Sequence, residues 1–324
     1  MILRNKPFPE YQTRLAWNDF STLNWENYYS SIKKANLLQS SAYGRTCAKM
    51  NYQTLRQGIF IIDNQPAALL QILEAGFLNK SVHGVILDRG PLWFGGFGNE
   101  EEFALFLQAF RHEFPARFGR RIRFIPEIEN KENIVNILTK NGFKKKGEPY
   151  KTIWLDIRSD LEALKANLDK KWRNALNKSQ KQGLKIIEKQ DPNLLAWFLS
   201  SYKHDKRERN YQGASLNLLT TLTREFSSGK KALTLYALFD ETPIAAILIF
   251  IHGHSATYQI GYSSDLGRKK NAHNALLWYA IEILKERNIC EIDLGGIIGE
   301  NDGFSKFKRG MGGKTFETPG IFIG

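Results

Sequence analysis

Residues 291–313 read EIDLGGIIGENDGFSKFKRGMGG. Ile292 and Leu294 mark a buried strand that breaks at Gly295-Gly296, where the polypeptide must turn. A glycine-rich turn follows. Then comes a short aromatic-basic segment, Phe304-Ser305-Lys306-Phe307-Lys308-Arg309, closed by Gly310 and Gly312-Gly313. Glycines let a backbone approach a ligand closely, and aromatic neighbours hold a lysine stem while partly drying its surroundings. Such a segment suits a fixed positive charge facing a phosphate or a developing oxyanion. On local composition alone a solvated basic loop after an edge strand is the favoured reading, because basic loops are common.

The elements before this strand give it a place. Ala232–Phe239 reads as a strand, residues 240–243 (DETP) as a turn, and Ile244–Ile251 as the hairpin partner. Ala256–Tyr262 is a third strand. A loop over 263–271 leads to an amphipathic helix at Ala272–Glu286, and the strand at 290–294 closes the set. The first half follows the same order. Strands at 58–62, 67–73 and 82–87 surround the turn DNQP at 63–66. A loop over 95–98, a helix over 100–118 with a break near Pro115, and a strand at 121–125 follow. Earlier segments at 20–38 (Phe20, Leu23, Trp25, Tyr28, Tyr29, Ile32) and from residue 40, capped by Ser40 or Ser41, read as helices. Asp63 and Asp240 stand at equivalent turns, 177 residues apart. This implies two α/β domains with mixed sheets, related by duplication and built on the plan of N-acyltransferase domains. Two ordinary α/β domains that share an order by chance are the alternative.

The 324 residues suffice for two such cores. Apolar content of 42% with 24% charged residues describes a folded globular protein, and no apolar run reaches the roughly 20 residues a membrane span needs. The start, MILRNKPFPE, has no apolar signal region. Two distant cysteines, Cys47 and Cys290, fit a reducing compartment, so a cytoplasmic location is expected; no Cys–His spacing suggests a metal site. Forty-six Lys+Arg against 33 Asp+Glu leave a formal charge of +13, which points to polyanionic partners or to simple solubility.

The densest charge lies between the halves. Residues 160–182 read as one helix with Ser159 or Asp160 as cap and Gly183 as stop. Lys170, Lys171, Lys178, Lys181 and Lys185 fall on one side of a helical wheel, opposite Leu161, Leu168, Trp172, Ala175 and Leu176. Almost no acids at i+4 answer them after Asp169, which favours phosphate contact over a plain solvated face. A second cluster, KHDKRERNY at 203–211, offers arginines for a bidentate grip on diphosphate, or cations that answer a helix dipole.

Several of these runs resemble one family. LDKKWRNALNKSQKQGL at 168–184 is similar to the "kkWRnnlrkAekkGL" signature of FemAB/FemX non-ribosomal aminoacyltransferases. LQSSAY (38–43), DRGP (88–91), RNY (209–211), YQIGYS (258–263) and DLGG (293–296) with residues 304–313 resemble five further family motifs in the same order. Tyr43 replaces a usual Trp, Ile125 stands where many members have Asp before Pro126, and Met311 replaces a Phe. No helical arm is inserted between Lys178 and Asn193, as in the short FemX type.

The resemblance implies two tandem GNAT-like domains, at 1–150 and 151–314, with the tail 315–324 returning to the first. It implies transfer of an amino acid from aminoacyl-tRNA, without a further cofactor, to the stem-peptide amine of a peptidoglycan precursor. The acceptor would be UDP-MurNAc-pentapeptide or a lipid-linked muropeptide, reached with peripheral contact at the inner membrane face. By motif position Lys308 is the cation at the oxyanion, with Phe307 beside it. Arg209 grips the sugar-nucleotide diphosphate, with Arg207 second and Lys49 or Arg45 a partner from the first domain. Tyr258 lines the stem-peptide channel. Lys170, Lys171, Lys178, Lys181, Lys185, Lys306 and Arg309 face tRNA phosphates. Ile125 lacks the carboxylate that many members place at one sugar-nucleotide contact. Two other classes stay open. An acyl-CoA N-acyltransferase would need a glycine-bearing pyrophosphate loop where this chain has RKKNAH at 268–273. A non-catalytic RNA- or membrane-associated protein would keep the fold without the chemistry.

Overall fold

Two hairpin turns, Asp63-Asn64 and Asp240-Glu241, stand at matching places in the two halves, and all four residues have positive φ (48°, 64°, 47° and 57°). A two-residue turn of this kind twists in the sense that paired strands require, so each one nucleates a sheet. The computed structural model describes residues 11–17, 22–297, 299 and 302–324.

The first half contributes β1 (Thr13–Trp17), α1 (Thr22–Ser30), α2 (Ser41–Met50), β2 (Thr54–Ile62), β3 (Gln65–Phe77), β4 (Val82–Gly90), β5 (Leu92–Trp93), α3 (Glu100–Glu113), β6 (Arg120–Pro126), α4 (Glu132–Lys140) and β7 (Lys144–Lys145). The second contributes β8 (Lys151–Asp156), α5 (Leu161–Ala166), α6 (Lys170–Ser179), β9 (Lys185–Glu188), α7 (Pro192–Glu208), α8 (Leu216–Ser227), β10 (Ala232–Phe239), β11 (Thr242–His252) and β12 (Ser255–Ser263). It continues with α9 (Asp265–Lys269), α10 (Ala272–Glu286), β13 (Glu291–Ile297), α11 (Gly303–Arg309), β14 (Lys314–Glu317) and β15 (Phe322–Ile323).

The first sheet runs β1-β2-β3-β4-β6-β15-β7, with β5 beside β3; the second runs β14-β8-β13-β12-β11-β10-β9. Hairpin β2–β3 answers β10–β11, β4 answers β12, α3 answers α10 and β6 answers β13. In each half the helix carries the chain over to a parallel strand. The order read from the two halves therefore holds in both sheets. The last strand, β15, inserts between β6 and β7: Phe322 pairs with Phe124 and Lys145 and is fully buried in the first core. β14, just before it, pairs with β8 in the second sheet. The chain end thus joins both sheets. In the first core Phe103, Phe106, Phe110 and Phe114 project from α3 onto the sheet, and Asn99 and Glu102 close a reciprocal capping box at the helix start.

Some boundaries differ from the sequence reading. The helix expected over 160–182 is two helices. Asp169 caps α6 by accepting from Lys171 N at 2.8 Å, while its own N–H donates to Gly310 O at 2.8 Å, so contact with the chain after α11 breaks the run. Lys185 consequently lies on strand β9, ion-paired with Glu241 at 3.0 Å, and not on a helical face. Phe20 lies outside the described residues; the helix expected over 20–38 is α1, ending at Ser30, and a one-turn 3₁₀ segment at Leu37–Gln39. The loop expected at 263–271 contains α9, and α3 stops at Glu113, ahead of Pro115.

Candidate active site

The parallel strands of the two sheets meet differently. β4 and β6 stay paired in seven positions, from His83–Arg120 to Gly90–Pro126. β12 and β13 pair in three, from Ser255–Glu291 to Thr257–Asp293, and then diverge. Ligands of open α/β sheets collect where strands part at their carboxyl ends. Among the described residues the second sheet parts there: Tyr258 is next on β12, and Leu294 and then Gly295-Gly296 follow on β13.

Divergence begins at Asp293, whose side chain is buried with both oxygens hydrogen-bonded. Its Oδ1 accepts from Gly295 N at 2.8 Å and from the Thr152 hydroxyl, and its Oδ2 accepts from Arg89 Nη1 at 2.9 Å. Gly295 then adopts φ +76°; a side chain there would be strained and its Cβ would lie 3.5 Å from Lys308 Nζ. Gly296 presents its carbonyl to Lys308.

Lys308 comes from α11, a short helix started by Asp302, whose carboxylate accepts from Phe304 N and Ser305 N at 2.9 Å each. Ser305 and Lys308 are its buried residues, and Lys308 is 5% exposed. The ammonium donates to Gly296 O at 2.8 Å and lies 4.9 Å from the centre of the Phe304 ring and 5.7 Å from that of Tyr258. Gly296 O is its one hydrogen-bond acceptor among the described residues, and two N–H groups stay free for a ligand. Burial lowers its pKa to about 8, a drop that Asp293 and Asp302 moderate.

A histidine not singled out by the sequence reading completes the cluster. His273, in the first turn of α10, places Nε2 2.9 Å from Tyr258 Oη and Nδ1 3.4 Å from Ser263 Oγ. Burial, helped by the Lys308 charge, lowers its pKa to about 4, so the imidazole is neutral and donates through one nitrogen while accepting through the other. Burial raises the Tyr258 pKa, with the nearby hydroxyls of Tyr211 and Tyr202 adding to the effect. Phe307 lies between His273 (ring centres 5.4 Å) and Trp172 of α6 (5.8 Å). The tryptophan of the KKWRNAL run therefore seats the lysine-bearing helix. In sequence, His273 stood only in the stretch tested as a pyrophosphate loop, which gave no cue to its partner.

Across the domain boundary Arg89 is a buried cation at positive φ (53°). It grips Glu127 through two bonds of 2.8 and 2.7 Å and reaches Asp293 with its third nitrogen. Burial alone would favour a neutral guanidine, but the two carboxylates more than offset it and keep the group charged. Beside it, Tyr29 of α1 bonds His252 Nδ1 at 3.0 Å, and His252 Nε2 lies 2.8 Å from Thr257 Oγ1; burial holds that imidazole neutral as well. The first domain thus fixes Asp293, and through it the turn that receives Lys308.

The other residues singled out in the sequence fall into separate places. Arg209 is half exposed at the end of α7, paired with Asp205 at 2.9 Å, and its charge reaches Asp265 of α9. Arg207 and Lys49 face solvent, with no contact to the Lys308 cluster among the described residues. Arg45 is committed to Glu225 of α8 at 2.8 Å and to Ser41 Oγ at 2.7 Å. Lys170, Lys171, Lys178 and Lys181 are exposed on and after α6, whose Trp172 meets Phe307 of α11; Lys306 of α11 is exposed and Arg309 half-buried. Ile125 is buried beside Asp88 at the end of β6.

Residues 166–309 match the acetyltransferase (GNAT) domain family. Among solved structures the chain is similar to FemX, with TM-score 0.77 and 14% identity over 95% of this chain and 96% of that one. It is also similar to a C-terminal domain from Agrobacterium fabrum assigned to a lysylphosphatidylglycerol synthetase (TM-score 0.52, 14% identity, 94% and 92% covered). A tandem GNAT protein from the clavulanic acid biosynthesis pathway matches with TM-score 0.51 and 12% identity over 97% and 98%. No curated protein matches the sequence. The chain has the FemX fold, two tandem GNAT-like domains, and with it an acyltransferase architecture.

Proposed function

We propose that this protein transfers an amino acid from aminoacyl-tRNA to the stem-peptide amine of a peptidoglycan precursor in the cytoplasm, with no cofactor beyond the charged tRNA. The observation that carries this reading is Lys308: a buried ammonium with free N–H groups at the point where β12 and β13 separate. The shared fold with FemX supports it. An aminoacyl ester is already activated, so the reaction needs positioning and charge stabilisation and no covalent nucleophile. The acceptor amine attacks the ester carbonyl carbon, a C–N bond forms, and the carbonyl electron pair moves onto oxygen beside Lys308. Collapse breaks the C–O bond to the terminal ribose, and the proton lost by the amine ends on the ribose hydroxyl. Neutral His273 and protonated Tyr258 wall the ammonium without competing for its charge. The exposed lysines at 170, 171, 178, 181 and 306 supply phosphate contacts beside the same helix, and Arg209 the diphosphate grip.

Acyl-CoA is less well served. Where a glycine-bearing pyrophosphate loop would enter α10, the chain folds into α9, and Lys270 stacks on Phe239 at 3.6 Å. The discriminating experiment incubates the protein with a panel of charged tRNAs and with UDP-linked and lipid-linked muropeptides, and reads the acceptor mass. A gain of one amino-acid residue supports the proposal. Thermal stabilisation by acetyl-CoA with no such gain replaces it with the acyl-CoA reading, and polyanion or membrane binding without any transfer with the non-catalytic one.

Two expectations arise here. Because the ammonium is the working form and titrates near pH 8, kcat/KM should fall as pH rises through about 8, and a pH–rate profile checks this. A rise over the same range would make Lys308 a base instead. Arg209→Ala should raise KM for the sugar-nucleotide acceptor roughly tenfold with kcat little changed, because a lost ground-state contact acts on binding; steady-state kinetics at saturating donor measure the split.

A further inference from the structure

The β3–β4 hairpin and the segment before β6 carry a surface that the proposed reaction does not use. Phe118 is fully exposed, and Phe77, Leu78 and Val82 are 69%, 66% and 56% exposed. They gather at one end of the first sheet, where β4 and β6 begin side by side at His83 and Arg120. An open cleft of about 560 Å³ lies among Val82, His83, Arg117, Phe118, Arg120 and Arg121. Segments 76–84 and 115–121 contain Lys80, Arg117, Arg120 and Arg121 and no acidic residue. Lys80 pairs with buried Glu74 at 3.0 Å, but among the described residues Arg117, Arg120 and Arg121 pair with no carboxylate. Arg117 donates instead to the carbonyls of Lys80, Ser81 and Phe118, and Arg120 to that of Pro115. Carbonyls hold Arg117 with its charge uncancelled and Arg121 is exposed, whereas half-buried Arg120 also donates from Nε to His83 Nδ1 at 3.2 Å and feels the Glu74 and Glu113 charges.

Large side chains held in water beside uncompensated arginines are costly unless something covers them. Phosphate-rich RNA would answer the charge but not four apolar side chains of this size. An anionic bilayer answers both, taking the apolar tips below the headgroups and the arginines among the phosphates. We propose that this end of the first domain docks on an anionic lipid surface, with Phe77, Leu78, Val82 and Phe118 inserted at the headgroup boundary and Arg117 and Arg121 on lipid phosphates. At a strand rise of about 3.3 Å per residue, Arg89 at the far end of β4 stands roughly 23 Å from Val82, so the docked protein keeps the Lys308 cleft clear of the membrane. The proposal stands apart from the reaction above, because vesicle binding reads it with no substrate present.

The test is co-sedimentation of the full chain with vesicles of phosphatidylglycerol and phosphatidylcholine in equal parts, against vesicles of phosphatidylcholine alone. The chain should bind the anionic vesicles and not the neutral ones. The combined Phe77→Ser, Leu78→Ser and Phe118→Ser variant, and separately Arg121→Glu, should keep the wild-type melting curve and lose roughly tenfold or more in vesicle affinity. Unchanged vesicle binding in both variants, or equal binding to neutral vesicles, overturns the proposal. So does loss of RNA affinity in these variants with vesicle affinity intact, which would make the surface an RNA site. A dimer in solution that the serine variant dissociates would make it an interface between two copies of the chain, and equally overturn it.

Discussion

Lys308→Ala is expected to fold normally and to lose about 10²–10³-fold in turnover, the usual effect of removing one preorganised oxyanion contact. Both halves of that expectation follow from the same burial. The ammonium sits 5% exposed with a single backbone acceptor, and burial lowers its pKa from the ordinary 10.5 to about 8. A depressed lysine pKa means that the fold pays to keep the charge. The unfolded chain holds this proton up to the ordinary lysine range while the folded chain releases it near pH 8, so stability rises with pH across that window. Lys308→Met, which keeps the stem and drops the charge, should therefore be at least as stable as the wild type at pH 7. The difference should shrink as pH rises from about 8 toward 10.5, and denaturant titrations at several pH values check it. A stable, inactive variant is the signature of a group kept for chemistry. Were the lysine there for structure, its replacement would cost stability and spare the rate.

Arg89→Met should have the largest effect on stability, about 3–5 kcal/mol, because it strands Glu127 and Asp293 as buried carboxylates without their cation. Asp293 keeps Thr152 and Gly295 N as partners, but Glu127 loses a two-bond grip. Urea unfolding measures the loss. The combined variant Arg89→Met, Glu127→Gln, Asp293→Asn removes all three charges together and should recover much of the stability. Turnover should stay low in it, since an amide at 293 presents a weaker acceptor to Gly295 N and loosens the turn that receives Lys308. Recovery of stability without recovery of rate would separate the positioning role of this network from its structural one.

The residues explain which parts of this were readable in advance. Asp63-Asn64 and Asp240-Glu241 sit between runs of strand formers, so both hairpins and the repeated order were legible. The bounds of β10 and α10 match their apolar patterns for the same local reason. β15 was not legible as a strand, because two residues carry no period and what holds Phe322 is a sheet more than 170 residues upstream. The break between α5 and α6 was hidden because the apolar spacing runs on through Leu168 and Trp172; the deciding interaction, Asp169 N with Gly310 O, is tertiary. In the site, Lys306, Lys308 and Arg309 read as one basic run. The helical turn of α11 divides them, exposing Lys306 and burying Lys308. Arg89 stood within a quoted motif, yet composition gives no sign that a lone arginine before glycine-proline is a buried link between domains.

The central claim is that the Lys308 ammonium stabilises charge as an amino acid leaves its tRNA ester. The most direct measurement is the single-turnover rate of amide formation from charged tRNA to muropeptide, for wild type and Lys308→Met at matched saturation. The account predicts transfer by the wild type and a rate about 10²–10³-fold lower for the methionine variant, with substrate affinities nearly unchanged. Equal rates in the two proteins would contradict it.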